Sequence, residues 1–203
     1  MPTVASPSKR MRAPARREQL LDVATELAVE ESFHAVSVEA VARRAGITRA
    51  VIYQHFGDRQ ALLEAVVERE MARALVQVSE TSLTDLSAGE PQALMLESLT
   101  AYLHAVRDHP KTWRLVLMSP EGAPASLRQS IARGRRRALA QLTQAVRPAL
   151  PGTDTLDAEL TARLLSAISD EYARLALTDP ERFTPERLLR HARWWLDQAS
   201  FGL

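Results

Sequence analysis

The 203-residue sequence contains no cysteine. That removes disulfides, thiolate metal ligands and thiol nucleophiles together, and gives no sign of a secreted, stapled fold. Glycine is scarce, at seven residues, and aromatic residues make up 5%. No run approaches the ~20 apolar residues of a membrane span. The basic residues near the N-terminus are not followed by an apolar segment, so no signal peptide is expected and the cytoplasm is the expected compartment. An excess of one charge is also missing, since 26 Lys and Arg against 25 Asp and Glu leave a formal net charge of +1. The histidines at 34, 55, 104, 109 and 191 show no metal-ligand spacing. His104 and His109 stand five residues apart, which does not align two ligands on a helix. There is no G-x-S-x-G, no Gly-rich phosphate loop and no dinucleotide fingerprint. No catalytic residue, metal or cofactor is therefore expected, and an enzyme has no site to work with.

What is present is helical periodicity almost throughout, with no convincing strand. The fold class read from it is all-α, with about nine helices. The first runs from about Pro14 to Ser32. A short helix follows Ser37 and stops at Gly46, another runs from Thr48 to about Gly57, and Asp58 caps a long one from Arg59 to about Ser79. Residues 82–91 read as a loop. Further helices are expected from Pro91 to the His109-Pro110 step, over Thr112–Met118, and over Ala125–Val146 with Gly134 inside it. Residues 147–153 form the next loop, Asp154 caps a helix to about Leu177, and Thr184-Pro185 opens the last. Charge is uneven along this chain. Residues 1–17 hold Lys9, Arg10, Arg12, Arg16 and Arg17 and no acid, an arm that either neutralises phosphates or stays a solvated tail. The arginines at 133, 135, 136 and 137 read as a solvated helix face, and Asp170-Glu171 as surface charge. The expected organisation is a basic arm at 1–13, a unit at 14–58 and a second helical unit at 59–203.

The informative stretch is S-V-E-A-V-A-R-R-A-G-I-T-R-A-V-I-Y-Q-H-F at 37–56. Ser37 and Thr48 are N-cap residues. Gly46 sits where the chain leaves the first helix, a place for left-handed backbone. Val41, Ala45, Ile47, Ile52 and Phe56 form a shared apolar seam, with the small Ala42 where two helices approach. Arg49, Ala50, Tyr53 and Gln54 are left on an exposed face. An arginine and an amide there suit readout of guanine and adenine edges in a major groove, as in a helix-turn-helix. Residues 16–63 resemble the DNA-binding domain of TetR-family regulators. The resemblance rests on the aromatic turn at 32–34, Ser37-Val38, Val41-Ala42, Ala45-Gly46-Ile47-Thr48, Tyr53, His55-Phe56, Arg59 and Leu62-Leu63. It implies that Ser37 and Thr48 bind phosphate from helix N-termini and that Tyr53 and His55 clamp backbone phosphates. It also implies that Arg59, where the family commonly has lysine, binds DNA phosphate as a cation at the start of the fourth helix. Arg49 and Gln54 are the candidates for base edges, and Ala50, where glycine is common, for a thymine methyl.

The same resemblance implies that the second unit binds a small effector and dimerises, which makes the chain a repressor released from a palindromic double-stranded operator by a largely apolar molecule. The alternatives are a constitutive DNA-binding protein without effector and a helical enzyme with a helix-turn-helix appendage. Candidate pocket residues are Met95, Leu99, Tyr102, Trp113, Met118, Ile168 and Tyr172, each of which core packing would also explain. Two apolar stripes read as a homodimer interface: Leu160, Leu164, Ile168 and Leu175 on one helix, and Leu188, Ala192, Trp195 and Ala199 on the next. Trp194 and Trp195 lie about 100° apart around their helix, so both cannot face one core.

Overall fold

A computed structural model describes residues 12–81, 85–149 and 157–199, and within them the chain forms nine α-helices and no strand. The basic arm up to Met11 and the expected cap at Asp154 lie outside the described residues. The helices are α1 (Ala13–Glu30), α2 (Val38–Ala45), α3 (Arg49–Phe56), α4 (Arg59–Thr81), α5 (Pro91–Asp108), α6 (Pro110–Met118), α7 (Ala125–Val146), α8 (Ala158–Thr178) and α9 (Pro185–Ala199). Among the described residues no helix is long and apolar enough to cross a membrane.

Helix boundaries follow local chemistry. Ser37 Oγ accepts from the Ala40 N–H at 3.0 Å and caps α2, while Gly46 ends it at φ 66°, in the left-handed region that carries no Cβ penalty for glycine. Asp58 Oδ1 accepts from the Ala61 N–H at 2.7 Å at the start of α4. Pro110 cannot continue α5 but fits the first turn of α6, so that helix begins two residues earlier than expected. Asp157 caps α8 through the N–H groups of Glu159 and Leu160. The stretch read as a plain loop before α5 contains a short 3-10 turn, Leu86–Ala88. It is held because Leu86 is buried against Val146 and Ala162.

The first core gathers Leu20, Leu21, Ala24, Leu27 and Ala28 of α1 with Val41, Ile52, Leu62 and Leu63, and continues into Leu115 of α6 and Leu127 of α7. A second core joins Leu103, Val106, Trp113, Tyr172, Leu177, Leu188 and Ala192. Helix α6 thus lies between the two, with Leu115 turned to one and Trp113 and Leu117 to the other. The α8–α9 stripe needs correction here. Leu188 and Ala192 are buried within their own chain and Leu175 packs partly against the same core, because α9 lies on α5 and meets α8 at Tyr172–His191. Leu160, Leu164, Trp194 and, less so, Trp195 are what remain exposed.

Where α1, α4 and α6 meet, Glu70 is 1% exposed. Its carboxylate accepts from Arg69 and Arg73 at one oxygen and from Thr112 at the other, while the Thr25 hydroxyl beside it donates to the Leu21 carbonyl and accepts from Arg69. Arg69 reaches on to Glu18 and Asp22 of α1. Burial alone would lower the Arg69 pKa, but the carboxylates of Glu70, Glu18 and Asp22 raise it above the usual arginine value. Removing one partner of such a buried pair leaves an uncompensated charge. Glu70→Ala is therefore expected to cost about 3–5 kcal/mol, measured by urea unfolding. A loss no larger than that of a surface substitution would show that water replaces the carboxylate freely.

Candidate nucleic-acid interface and interior cavity

Helix α3 is anchored by one fully buried residue, Ile52, with Phe56 and Ile47 partly buried beside it. With Ile52 inward, the 3.6-residue period puts Ala50 and Gln54 opposite it and Tyr53 to the side, Arg49 projects from the first turn, and all four are exposed. His55 is half-buried beside Phe56, and the Arg17 guanidinium of α1 lies over the Phe56 ring at 5.2 Å. Thr48 precedes α3 but makes no side-chain capping bond. Ser37 Oγ is engaged as a cap acceptor, which leaves its O–H to donate to an anion.

Two charged residues on this surface are held in ways the sequence did not reveal. Arg59 turns inward, donating from Nε to the Val36 carbonyl at 2.6 Å and from Nη2 to the Phe33 carbonyl at 2.9 Å. Its position at the start of α4 is as expected, but its hydrogen bonds brace the turn that delivers α2. Arg49 Nη1 donates to Glu39 Oε1 of α2 at 3.0 Å, with the two side chains 64% and 55% exposed. The Arg49 hydrogen bond holds the Glu39 carboxyl below its ordinary pKa.

A cavity of about 240 Å³ lies among α4–α9. Met95, Leu99, Tyr102, Trp113, Ile168 and Tyr172 of the candidate set line it. Met118 does not, since it sits at the exposed end of α6. The dimer candidates Ala192 and Trp195 face it instead. The Tyr102 and Trp113 rings pack edge to face at 4.9 Å, and Trp113 Nε1 donates to Gln77 Oε1 of α4 at 2.8 Å. Gly134 faces the cavity, and a Cβ there would meet nothing within 4 Å.

The cavity has one charged end. Asp170, read from sequence as surface charge, lines it with a side chain 24% exposed. Tyr102 Oη donates to it at 3.3 Å, and Arg135 and Arg174 approach at 3.6 and 3.8 Å. Arg135 also lines the cavity while remaining half-exposed to solvent. Burial raises the Asp170 pKa, and the two arginines and the tyrosine only partly oppose it. Burial, followed by the Asp170 charge, pushes the Tyr102 hydroxyl well above its ordinary range. Among the described residues no cluster of three or more His, Asp or Glu is placed to hold a metal.

The raised Asp170 pKa fixes a sign. The folded chain binds this proton more tightly than the unfolded one, so the stability is present below the ordinary aspartate pKa and lost as pH rises through the raised value. Asp170→Asn, which mimics the protonated form, is expected to raise the unfolding midpoint at pH 7. The gain should shrink as pH falls towards the ordinary aspartate value of about 3.9. A variant less stable than wild type at pH 7 would show that the two arginine pairs outweigh burial.

Residues 20–66 match the family described as bacterial regulatory proteins, tetR family. An uncharacterized HTH-type transcriptional regulator from Mycobacterium tuberculosis is 30% identical over 148 residues, 72% of this chain and 68% of that protein. The HTH-type transcriptional regulator BetI from Yersinia pestis is 34% identical over 80 residues, 39% of this chain and 40% of its own. Among solved structures, a TetR-like transcriptional regulator from a Rhodococcus species superposes with TM-score 0.68 at 22% identity, covering 92% of this chain and 97% of that one. The TetR-family regulator PfmR from Thermus thermophilus gives 0.64 at 19% identity, covering 89% and 93%. At such identities the structures speak for the fold. Together with the matched helix-turn-helix and the regulator relative, they show that the chain belongs to the TetR family of DNA-binding transcriptional regulators.

Proposed function

We propose that the protein is a homodimeric cytoplasmic repressor that leaves a palindromic operator when a small, largely apolar effector enters the cavity. The reading divides the chain into a DNA head at 14–58 and an effector and dimer unit at 59–203. Within the head, Arg49 and Gln54 reach base edges and Ala50 a thymine methyl. Ser37, Thr48, Tyr53 and His55 hold phosphates, and Arg59 steadies the turn behind them. The observation that carries the head's role is the α3 face, open over Arg49, Ala50, Tyr53 and Gln54 while Ile52 is sealed in the core. On the operator recovered by selection from random duplex DNA, Arg49→Ala is expected to weaken binding by ~1–3 kcal/mol and to relax preference at one base pair per half-site. Weaker binding with every base preference intact would remove Arg49 from direct readout.

Leu160 and Leu164, one turn apart on α8, and Trp194 on α9 are large apolar side chains that this chain leaves exposed, which supports their burial in a dimer. Ala199 belongs to the same expectation. An isologous pair reads half-sites about one helical turn apart, ~34–36 Å, or a multiple of it. Leu164 is 57% exposed, so Leu164→Glu should leave the fold intact while placing an unpaired charge in the interface. Light scattering at micromolar concentration is expected to show a dimer for wild type and a monomer for the variant. A wild-type monomer that still binds one half-site tightly would contradict this.

The cavity favours an effector-responsive protein over a constitutive one. Its rings and methionines suit an apolar body, and its Asp170–Arg135–Tyr102 end suits one polar group. Helix α4 carries both Leu62 of the head core and Met71, Ala74 and Leu75 of the cavity wall, so a ligand that moves it alters the separation of two α3 helices. Linkage makes the effect reciprocal: an effector that lowers operator affinity tenfold, a coupling of ~1.4 kcal/mol, has its own affinity lowered tenfold by operator. A binder found by thermal-shift screening should show this in titrations with and without operator. Affinity for a cavity-bound ligand that ignores operator would uncouple the two sites.

A further inference from the structure

Residues 37–57, which carry the DNA-facing surface, contain a single carboxylate, Glu39. A carboxylate beside phosphates repels them, and an exposed ion pair contributes little to stability. Its cost to DNA affinity therefore calls for a return in something other than folding. Glu39 lies in the first turn of α2 and meets Arg49 in the first turn of α3, so the pair spans the two helix starts that face DNA.

We propose that Glu39 is a specificity-determining residue that reads DNA together with Arg49. The proposal rests on the reading of bases by α3. Arginine has five N–H donors in a fixed plane, and the bond to Glu39 occupies Nη1. That bond restricts rotation of the guanidinium and leaves its other nitrogens to meet guanine O6 and N7. Glu39 keeps its second oxygen, Oε2, for the N4 amino group of a cytosine; adenine also offers an amino group at N6, but its N7 acceptor beside it repels the carboxylate. Guanine O6 and N7 and thymine O4 are acceptors, so the same carboxylate rejects them. Much of the discrimination therefore comes from exclusion. The ligand assigned to the pair is a guanine with a cytosine on the same or the adjacent base pair.

The test is selection from random duplex DNA with the full-length wild type and with Glu39→Gln, Glu39→Ala and Arg49→Ala, followed by titration of each protein with the wild-type operator and with operator altered at the position affected. Both side chains are exposed, and unchanged melting temperatures confirm that the variants fold. Glu39→Ala is expected to lose its cytosine preference at one position per half-site and to bind the wild-type operator about tenfold or more weakly. On the altered operator, Glu39→Gln and Glu39→Ala should bind at least as tightly as wild type, because a repulsive charge is gone. This crossing of affinities is the signature of specificity. If both Glu39 variants bind every sequence more tightly by one factor, with base preferences unchanged, Glu39 only repels phosphate and the proposal falls. If Arg49→Ala loses a base preference and Glu39→Ala does not, the proposal falls alone. If neither changes any preference, the α3 reading falls with it.

Discussion

The buried Glu70 carboxylate is the constraint around which the two halves of the molecule are arranged. A charge withdrawn from water must be met by donors, and here they are Arg69 and Arg73 of α4 and Thr112 of α6, with Arg69 reaching on to Thr25, Glu18 and Asp22 of α1. Satisfying one carboxylate therefore fixes where α1 crosses α4 and where α6 crosses both. A second tie lies near the end of α1, where the Phe33 N–H donates to the Glu121 carbonyl at 2.9 Å. Next to it, Gly122 at φ 74° presses on the His34 ring so closely that a Cβ would stand 2.6 Å from it. The DNA head is thus not a bead on a linker. It is bonded to the segment 110–122 at Phe33–Glu121 and at Glu26–Lys111.

That arrangement gives α6 two tasks on adjacent residues. Thr112 holds Glu70, and Trp113 forms part of the cavity wall and donates to Gln77 of α4. A ligand that displaces the Trp113 ring acts on the same short helix that secures α1, and acts on α4 through Gln77. Packed interiors move between discrete arrangements rather than deforming smoothly. In the proposed response to effector, a small change at the ring would therefore reach the head as a shift of whole helices.

The helix-turn-helix was legible because its determinants are local. The Ser37 cap, the left-handed Gly46 and the three- and four-residue steps of the seam act within one or two turns of chain. The residues that sequence reading missed or misplaced owe their roles to partners far away. Thr112 reaches Glu70 across 42 residues, Tyr102 reaches Asp170 across 68, and Arg59 reaches Val36 across 23. No periodicity announces such pairs. Asp170 looked like surface charge because its neighbour Glu171 is surface charge. Met118 carries the right chemistry for a pocket, but the end of α6 leaves it facing solvent. The stripe on α9 shows a separate ambiguity. An apolar helix face must be covered, but the pattern does not say whether by the same chain, as for Leu188 and Ala192, or by a partner.

We propose that the contents of the cavity set the distance between the two recognition helices of a dimer. With no native cysteine in the chain, a single spin label at Gln60→Cys, an exposed position at the start of α4, reports that distance by pulsed electron spin resonance. A narrow distribution is expected on operator DNA, and a displaced or broadened one when a cavity-bound compound from the thermal-shift screen is added. An identical distribution with and without the compound, or no coupling between labels at all, would contradict it.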